Sequence, residues 1–269
     1  MSPFAPTVAA FSELADGVRR LLAPNPSMMT GPGTNTYLIG NEAIAVIDPG
    51  PAISRHIDKI REKSTGSIRW ILVTHTHPDH SPAVRALAAA TGAEVLGMPA
   101  PAAGHQDRTF MPDRVLADGD VLESDEFCLR AVHTPGHASN HLCYLHTRLN
   151  WLFTGDHIID GSTVVIDPPD GNMRDYLQSL SRCKALRVKA LAPGHGGLLH
   201  EPERVIDWII EHRLQREAKV LAAMQANPEL TTHELVPHVY PEIEPKLRAL
   251  AERSLLAHVL KLKEHGQGS

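Results

Sequence analysis

Short apolar runs closed by Gly, Pro or Asp alternate, over the first two hundred positions, with stretches whose apolar residues recur at helical spacing. "NTYLIG" (35–40) and "AIAVIDPG" (43–50) predict consecutive strands, the second ended by the turn Asp48-Pro49-Gly50. "PAISRHIDKIREKSTG" sets Ile53, Ile57 and Ile60 on one helical face and stops at Gly66. The strand "IRWILV" (68–73) comes next, followed by a polar loop and an Ala-rich helix with Pro82 near its first turn and Gly92 beyond its end. Further strands are expected at "AEVLGM", "FCLRAVH", "HLCYLH", "WLFTGD", "STVVID" and "ALAPG", with a helix "MRDYLQSLSRCKAL" before the last. Strands outnumber helices without strict alternation, which suggests two sheets sandwiched between helices rather than one doubly wound sheet.

From about residue 203 everything reads as helix, broken at Asn227-Pro228. The expected organisation is therefore a domain over residues 1–202 and a small helical domain over 203–269. In "HRLQREAK" the charges are expected on a solvated face, with Leu214, Val220 and Leu221 packing inward.

Composition narrows the classes. A hydrophobic content of 42% with no apolar stretch long enough to span a bilayer reads as a soluble globular chain. The formal charge of -5 disfavours wholesale binding to a polyanion, and in the helical region acids and bases nearly balance. Three cysteines without a CxxC spacing indicate neither a disulfide framework nor a thiolate zinc knuckle, and read as core residues in a reducing compartment. The first twenty residues lack a basic n-region, and Glu13 and Asp16 interrupt any apolar or basic leader, so a cytoplasmic location is expected. Histidine is the outlier at 17, which makes a single histidine weak evidence and leaves spacing to separate ligands from bystanders.

The spacing is informative in "THTHPDHSPAV" (74–84), directly after an apolar strand. In extended backbone, side chains two apart share a side, so His75 and His77 can grip one ion together. Asp79 and His80, beyond Pro78, face a neighbouring position suited to a second borderline cation such as Zn²⁺. Two coordination shells need more donors, and "HTPGHASNH" offers His137, "WLFTGDH" Asp156 and "ALAPGHGG" His195, each at the end of an apolar strand.

HxHxDH followed in order by TPGH, TGD and PGHG resembles the metallo-β-lactamase superfamily. The resemblance implies an αββα sandwich with a dinuclear site on one edge: His75, His77 and His137 for one metal, Asp79, His80 and His195 for the other, and Asp156 bridging both. Two cations roughly 3.5 to 4 Å apart can share a hydroxide as nucleophile and polarise a substrate oxygen, with Asp79 relaying the proton as a catalytic residue. Asp156 stands where some true β-lactamases of the superfamily carry a thiolate, and His77 where its diiron redox branch carries a glutamate. Both choices favour two Zn²⁺ per chain, although the donor types also accommodate Mn or Fe. "NPSMMTGPGTNTYLIG" and "HRLQREAKVLAAM" resemble the β-lactamase-like group that includes a mitochondrial single-strand endoribonuclease and fungal acyl-carrier thioesterases, whose C-terminal helices form a winged-helix-like domain.

The expectation is a binuclear zinc-dependent hydrolase of an ester, thioester or phosphodiester. A single-strand endoribonuclease and a non-catalytic binding protein that retains the metal site are the alternatives. The acidic balance and short end after the last helix favour a small ester or thioester, while the family likeness keeps single-stranded RNA open. Thr30, Asn35 and His141 are candidates for lining the substrate pocket, Thr36 shares that loop, and Asp48 is expected to brace the neighbouring turn. "SPA" follows the histidine motif where the family commonly has a Ser-Gly-Gly-like turn, so a different pocket floor is expected.

Overall fold

The computed structural model describes residues 10–264 and Gly266. The first nine positions and most of the terminal "HGQGS", on which the readings of the two chain ends partly rest, lie outside the described residues. The first sheet runs β1 (Phe11–Ala15), β2 (Val18–Leu22), β3 (Asn35–Ile39), β4 (Ala43–Ile47), β5 (Ser67–Leu72), β6 (Glu94–Gly97) and β7 (Arg114–Val115) in chain order. It is antiparallel to β4 and parallel from there on. Helices α1 (Ser54–Lys63) and α2 (Val84–Thr91) connect β4 to β5 and β5 to β6. The second sheet takes β8 (Val121–Glu123), β9 (Cys128–His133), β10 (Leu142–His146), β11 (Trp151–Gly155) and β12 (Ala190–Pro193), in the order β12-β11-β10-β9-β8.

Alternation within each strand explains the four layers. Tyr37, Ile39, Ala45, Ile47 and Leu72 of the first sheet meet Ala131, Leu142, Tyr144, Phe153 and Ala192 of the second in one buried cluster. The intervening residues Leu38, Ile44, Val46 and Ile71 turn outward onto Ile60 of α1 and Leu87 of α2. On the far side, Cys143, Leu152 and Leu191 face α3 (Met173–Ala185) and the first half of α4 (Pro202–Ala226). A strand buried on both faces needs apolar residues at successive positions, and these runs have them.

The second half of α4 joins α5 (Thr232–Val239) and α6 (Arg248–Glu264) around Val220, Leu235, Val236, Leu255 and Val259. α4 thus belongs to two cores, and Ala257 of α6 also reaches the sandwich cluster. Among the described residues this C-terminal region contains helices and one 3₁₀ turn, Pro245–Leu247, without wing strands. Among the described residues no helix is long and apolar enough to cross a membrane.

Four features depart from the sequence reading. β1 and β2 form an unanticipated hairpin, because "VRRLL" reads as polar although Arg19 and Arg20 are both buried. The two terminal nitrogens of Arg19 donate to Gly40 O, Lys63 O and Thr65 Oγ1. The short strands β7 and β8 were also not anticipated. "STVVID" forms no strand: its carbonyls at Val164 and Val165 are taken by Arg213 and His137 instead of a neighbouring strand. Leu214 is 49% exposed, because α4 turns the adjacent Arg213 inward, whereas Val220 is buried and Leu221 packs on the C-terminal core as expected.

Phe153, 1% exposed, sets its ring edge-on to Tyr37 of the opposite sheet with centroids 4.9 Å apart. Phe153→Ala is expected to lower stability by about 3–5 kcal/mol, read by denaturant unfolding; a loss below about 1 kcal/mol contradicts this packing.

Candidate metal centre

The polar groups collect where strand ends of both sheets meet. Asp48 ends β4, His75 to His80 follow β5, His137 lies in the turn between β9 and β10, Asp156 follows β11 and His195 follows β12. Hydrogen bonds stitch the sheets together at this edge: Leu142 N donates to Thr74 O at 2.7 Å, Tyr144 Oη to Val73 O at 2.7 Å, and Tyr37 Oη to Pro193 O at 2.7 Å. Two glycines let the turns approach. A Cβ on Gly136 would sit 2.3 Å from Tyr176 Cα, and one on Gly194 would sit 2.8 Å from both Asp156 Oδ1 and His80 Cε1.

All seven candidate ligands are brought together. His75, His77 and His137 form one group, and Asp79, His80 and His195 another, with the donor atoms of each group within 4.8 Å of one another. Asp156 lies between them: Oδ1 is 3.3 Å from His80 Nε2 and 3.1 Å from His195 Nε2, while Oδ2 is 3.7 Å from His137 Nε2.

Surrounding hydrogen bonds fix which nitrogen of each imidazole faces inward. His137 Nδ1 donates to Val165 O at 2.7 Å and His195 Nδ1 to Gly33 O at 3.1 Å, since a carbonyl can only accept. His80 Nδ1 donates to Asp48 Oδ2 at 2.9 Å. Thr74 Oγ1 gives its proton to the same carboxylate at 2.7 Å, so it accepts from His75 Nδ1 at 3.0 Å. In the neutral rings all four Nε2 atoms therefore present lone pairs to the centre, the arrangement by which outer partners orient metal-binding imidazoles. Asp48 also accepts from Thr74 N at 2.7 Å and holds φ at 49°, a left-handed conformation that Asp tolerates better than most residues. It braces the centre without contributing a donor.

The donor set fits cations. His75 Nε2 and His137 Nε2 each lie 3.0 Å from His77 Nδ1, and one proton there can satisfy only one of the two lone pairs. His80 Nε2 and Asp156 Oδ1 are buried with no hydrogen-bond partner. Burial keeps His75 well below the ordinary histidine range, assisted by His80 and His77, and holds His77 near 3. At the other group burial also opposes charge, but Asp156 and Asp79 outweigh it and raise His195 to about 10. Asp79, Asp156 and Asp48 likewise hold His80 well above its usual value. Asp79 stays far below the carboxylate range: desolvation opposes this, and His80 and His195 prevail.

The centre floors a cavity of about 280 Å³ lined by His77, Asp79, His137, Asp156 and His195. Its upper walls come from Met29, Val165, Asp167, Asp170 and His105, and from Leu250 and Arg253 of α6. None of the three residues expected to line the pocket does so. Thr30 is buried and donates to Asn25 O at 2.6 Å, closing its own turn. Asn35 is fully buried and pins the His195 turn, donating to Pro193 O and Gly196 O at 2.9 Å each. His141 is fully buried beneath the centre, stacked on His75 with centroids 5.0 Å apart and bonded through Nδ1 to Thr134 Oγ1. Sequence reasoning missed Thr34, whose hydroxyl donates to Asp79 Oδ2 at 3.0 Å, and the wall residues of α6. Thr34 belongs to the "GPGTNT" loop already under suspicion, whereas nothing in the helical pattern distinguished Leu250 or Arg253.

The metallo-β-lactamase superfamily profile matches residues 29–195, and a β-lactamase-associated winged helix domain profile matches residues 231–267. The β-lactamase-like protein 2 homolog of Drosophila melanogaster is 31% identical over 274 residues, covering 97% of this chain and 92% of that protein. An atrochrysone carboxyl ACP thioesterase of Aspergillus fumigatus is 30% identical over 224 residues, covering 82% of this chain and 69% of that protein. A β-lactamase domain protein from Burkholderia ambifaria superposes with a TM-score of 0.81 at 21% identity, covering 98% of this chain and 92% of that one, which is a likeness of fold.

Two outcomes test the centre. Because Asp156 and Asp79 raise His195 to about 10, a cation that takes its Nε2 at neutral pH must displace a proton. Adding Zn²⁺ to the cation-free protein at pH 7 is expected to release protons to an indicator dye, with affinity rising as pH rises toward 10; binding without release contradicts this charge arrangement. Asp48→Ala leaves three donors unanswered and is expected to weaken cation binding about 10- to 100-fold, measured by chelator competition.

Proposed function

This chain belongs to the metallo-β-lactamase superfamily, and we propose that it is a hydrolase that holds two divalent cations, zinc by preference, and cleaves the thioester or carboxylic ester of an acyl group. The observation that carries the reading is the convergence of seven imidazole and carboxylate donors whose lone pairs are aimed inward by a separate set of hydrogen bonds. Imidazole with carboxylate is a donor set suited to zinc.

His75 Nε2, His77 Nδ1 and His137 Nε2 would hold one cation. Asp79, His80 Nε2 and His195 Nε2 would hold the other, with an oxygen of Asp156 directed to each. Cations bound there supply a hydroxide nucleophile at neutral pH and polarise the scissile carbonyl. Asp79, a quarter exposed and lining the cavity, is the carboxylate with access to the reacting groups, and it receives the proton and returns it to the leaving group. Thr34 and His195 keep its carboxylate oriented. The nucleophile comes from water, so neither a serine nor a cysteine is required.

The cavity walls favour an acyl substrate over a nucleic acid. Met29, Val165 and Leu250 offer apolar surface for an acyl chain. Arg253, the basic side chain of that wall, is paired with Asp167 at 3.0 Å, and Asp170 beside them would repel the phosphates of an RNA strand. The acyl carrier thioesterase among the relatives supports the same class.

The test compares short- and medium-chain acyl thioesters, the matching esters and single-stranded RNA, using wild-type and Asp156→Ala protein before and after cation removal. Thioester turnover is expected to fall more than about a hundredfold in Asp156→Ala and on chelation, and to return with Zn²⁺. Full activity after exhaustive chelation would overturn the reading; cleavage confined to RNA would redirect it to a phosphodiesterase.

A further inference from the structure

We propose that the C-terminal helices are a working part of the metal centre, and that Arg213 of α4 is a positioning residue for His137, acting through the segment Val164–Asp167. The proposal rests on the reading of the centre as a cation site.

On its outer side the ring of His137 is oriented by one bond, from Nδ1 to Val165 O at 2.7 Å. That carbonyl belongs to "STVVID", which pairs with no strand and so lacks a ladder to hold it. Its backbone is instead held from the helical side. Arg213 donates from its guanidinium to Val164 O, and Arg253 of α6 pairs with Asp167 at 3.0 Å. The two arginines flank the carbonyl that orients His137, one on each side along the chain.

Arg213 is costly where it stands. It is 3% exposed, its Nε has no partner, and among the described residues no carboxylate lies within ion-pair distance of it. Its other close contact is Tyr176, whose ring lies 5.5 Å from the guanidinium carbon and whose side chain also hydrogen-bonds it. Burying a cation without a counter-ion costs several kcal/mol, and an aliphatic side chain would fill the space more favourably. What an aliphatic residue lacks is a donor for Val164 O. Tyr176 strengthens the connection, because its backbone packs against Gly136, next to His137. Arg213 therefore steadies both neighbours of the His137 imidazole: the carbonyl that sets its tautomer and the tyrosine that backs its turn.

None of these contacts reaches Asp79, His80 or His195, whose orientation comes from Asp48, Thr34 and Gly33. Loss of the Arg213 donor should weaken one cation site and spare the other.

The test uses the whole chain. Zn²⁺ alone is titrated by chelator competition into wild type, Arg213→Met, Arg213→Lys, Arg253→Met, His137→Ala and the Arg213→Met/His137→Ala double variant. Melting of each cation-free protein reports the fold. Arg213→Met is expected to weaken one binding step about 10- to 100-fold while the other stays within twofold. Arg253→Met should weaken the same step less, and Arg213→Met should add nothing in the His137→Ala background. Unchanged binding by Arg213→Met, equal weakening of both steps, or an undiminished effect without His137 would each overturn the proposal. If Arg213→Met does not fold, Arg213→Lys decides: a severalfold loss confined to one step supports the proposal, and wild-type binding overturns it. Wild-type protein that takes up no cation sinks the reading of the centre itself, whereas two normal wild-type steps with an unaffected Arg213→Met sink this inference alone.

Discussion

The carboxylate of Asp48 is the constraint around which the polar edge of the sandwich is built. It ends β4, where an ordinary strand would leave for solvent, and it is buried. A carboxylate so enclosed must find donors, and it finds three at the end of the adjacent strand: Thr74 N, Thr74 Oγ1 and His80 Nδ1. Each of these bonds has a second effect. The hydroxyl of Thr74, having given away its proton, must accept from His75. The imidazole of His80, having committed Nδ1, must turn Nε2 inward. One buried charge thus sets the rings of one ligand in each half of the centre.

The rest of the edge follows the same rule of satisfying buried polar groups on their outer side and leaving them unanswered on the inner side. Backbone carbonyls at Gly33 and Val165 take the outer nitrogens of His195 and His137. Inside, the lone pairs of His75, His77 and His137 converge around the single proton that His77 Nδ1 can carry and repel one another, while Asp79 and Asp156 face His80 and His195. The apolar packing between the sheets and the hydrogen bonds across their seam hold the strand ends in place against that repulsion.

The helical C-terminal region enters this picture as wall and brace. α6 contributes Leu250 and Arg253 to the cavity, and α4 contributes Arg213 to the segment behind His137. Because α4 runs without interruption from the sandwich core into the C-terminal core, neither contribution depends on a flexible linker. The cavity wall there mixes apolar residues, Met29, Val165 and Leu250, with the Arg253–Asp167 pair and Asp170.

Much of this could be read along the chain. Apolar runs ended by Gly, Pro and Asp marked most strands, and HxHxDH, TPGH, TGD and PGHG marked the seven donors, because metal ligation demands particular side chains at fixed local spacing. Elements whose burial is satisfied by distant backbone were not legible: "VRRLL" hides two arginines in a strand, and "STVVID" looks like a strand but spends its carbonyls on His137 and Arg213. Asn35 leaves the expected pocket wall for the same reason, donating to Pro193 O and Gly196 O, and His141 stacks on His75 behind it. The sequence alone determined which residue types supply the candidate donors and in what local order, since HxHxDH, TPGH, TGD and PGHG carry them. Only the tertiary structure decided which nitrogen each imidazole presents, which residues face the cavity, and that two arginines from the last helices reach the segment behind His137. Those outcomes depend on contacts between residues far apart in the chain, where no local pattern records them.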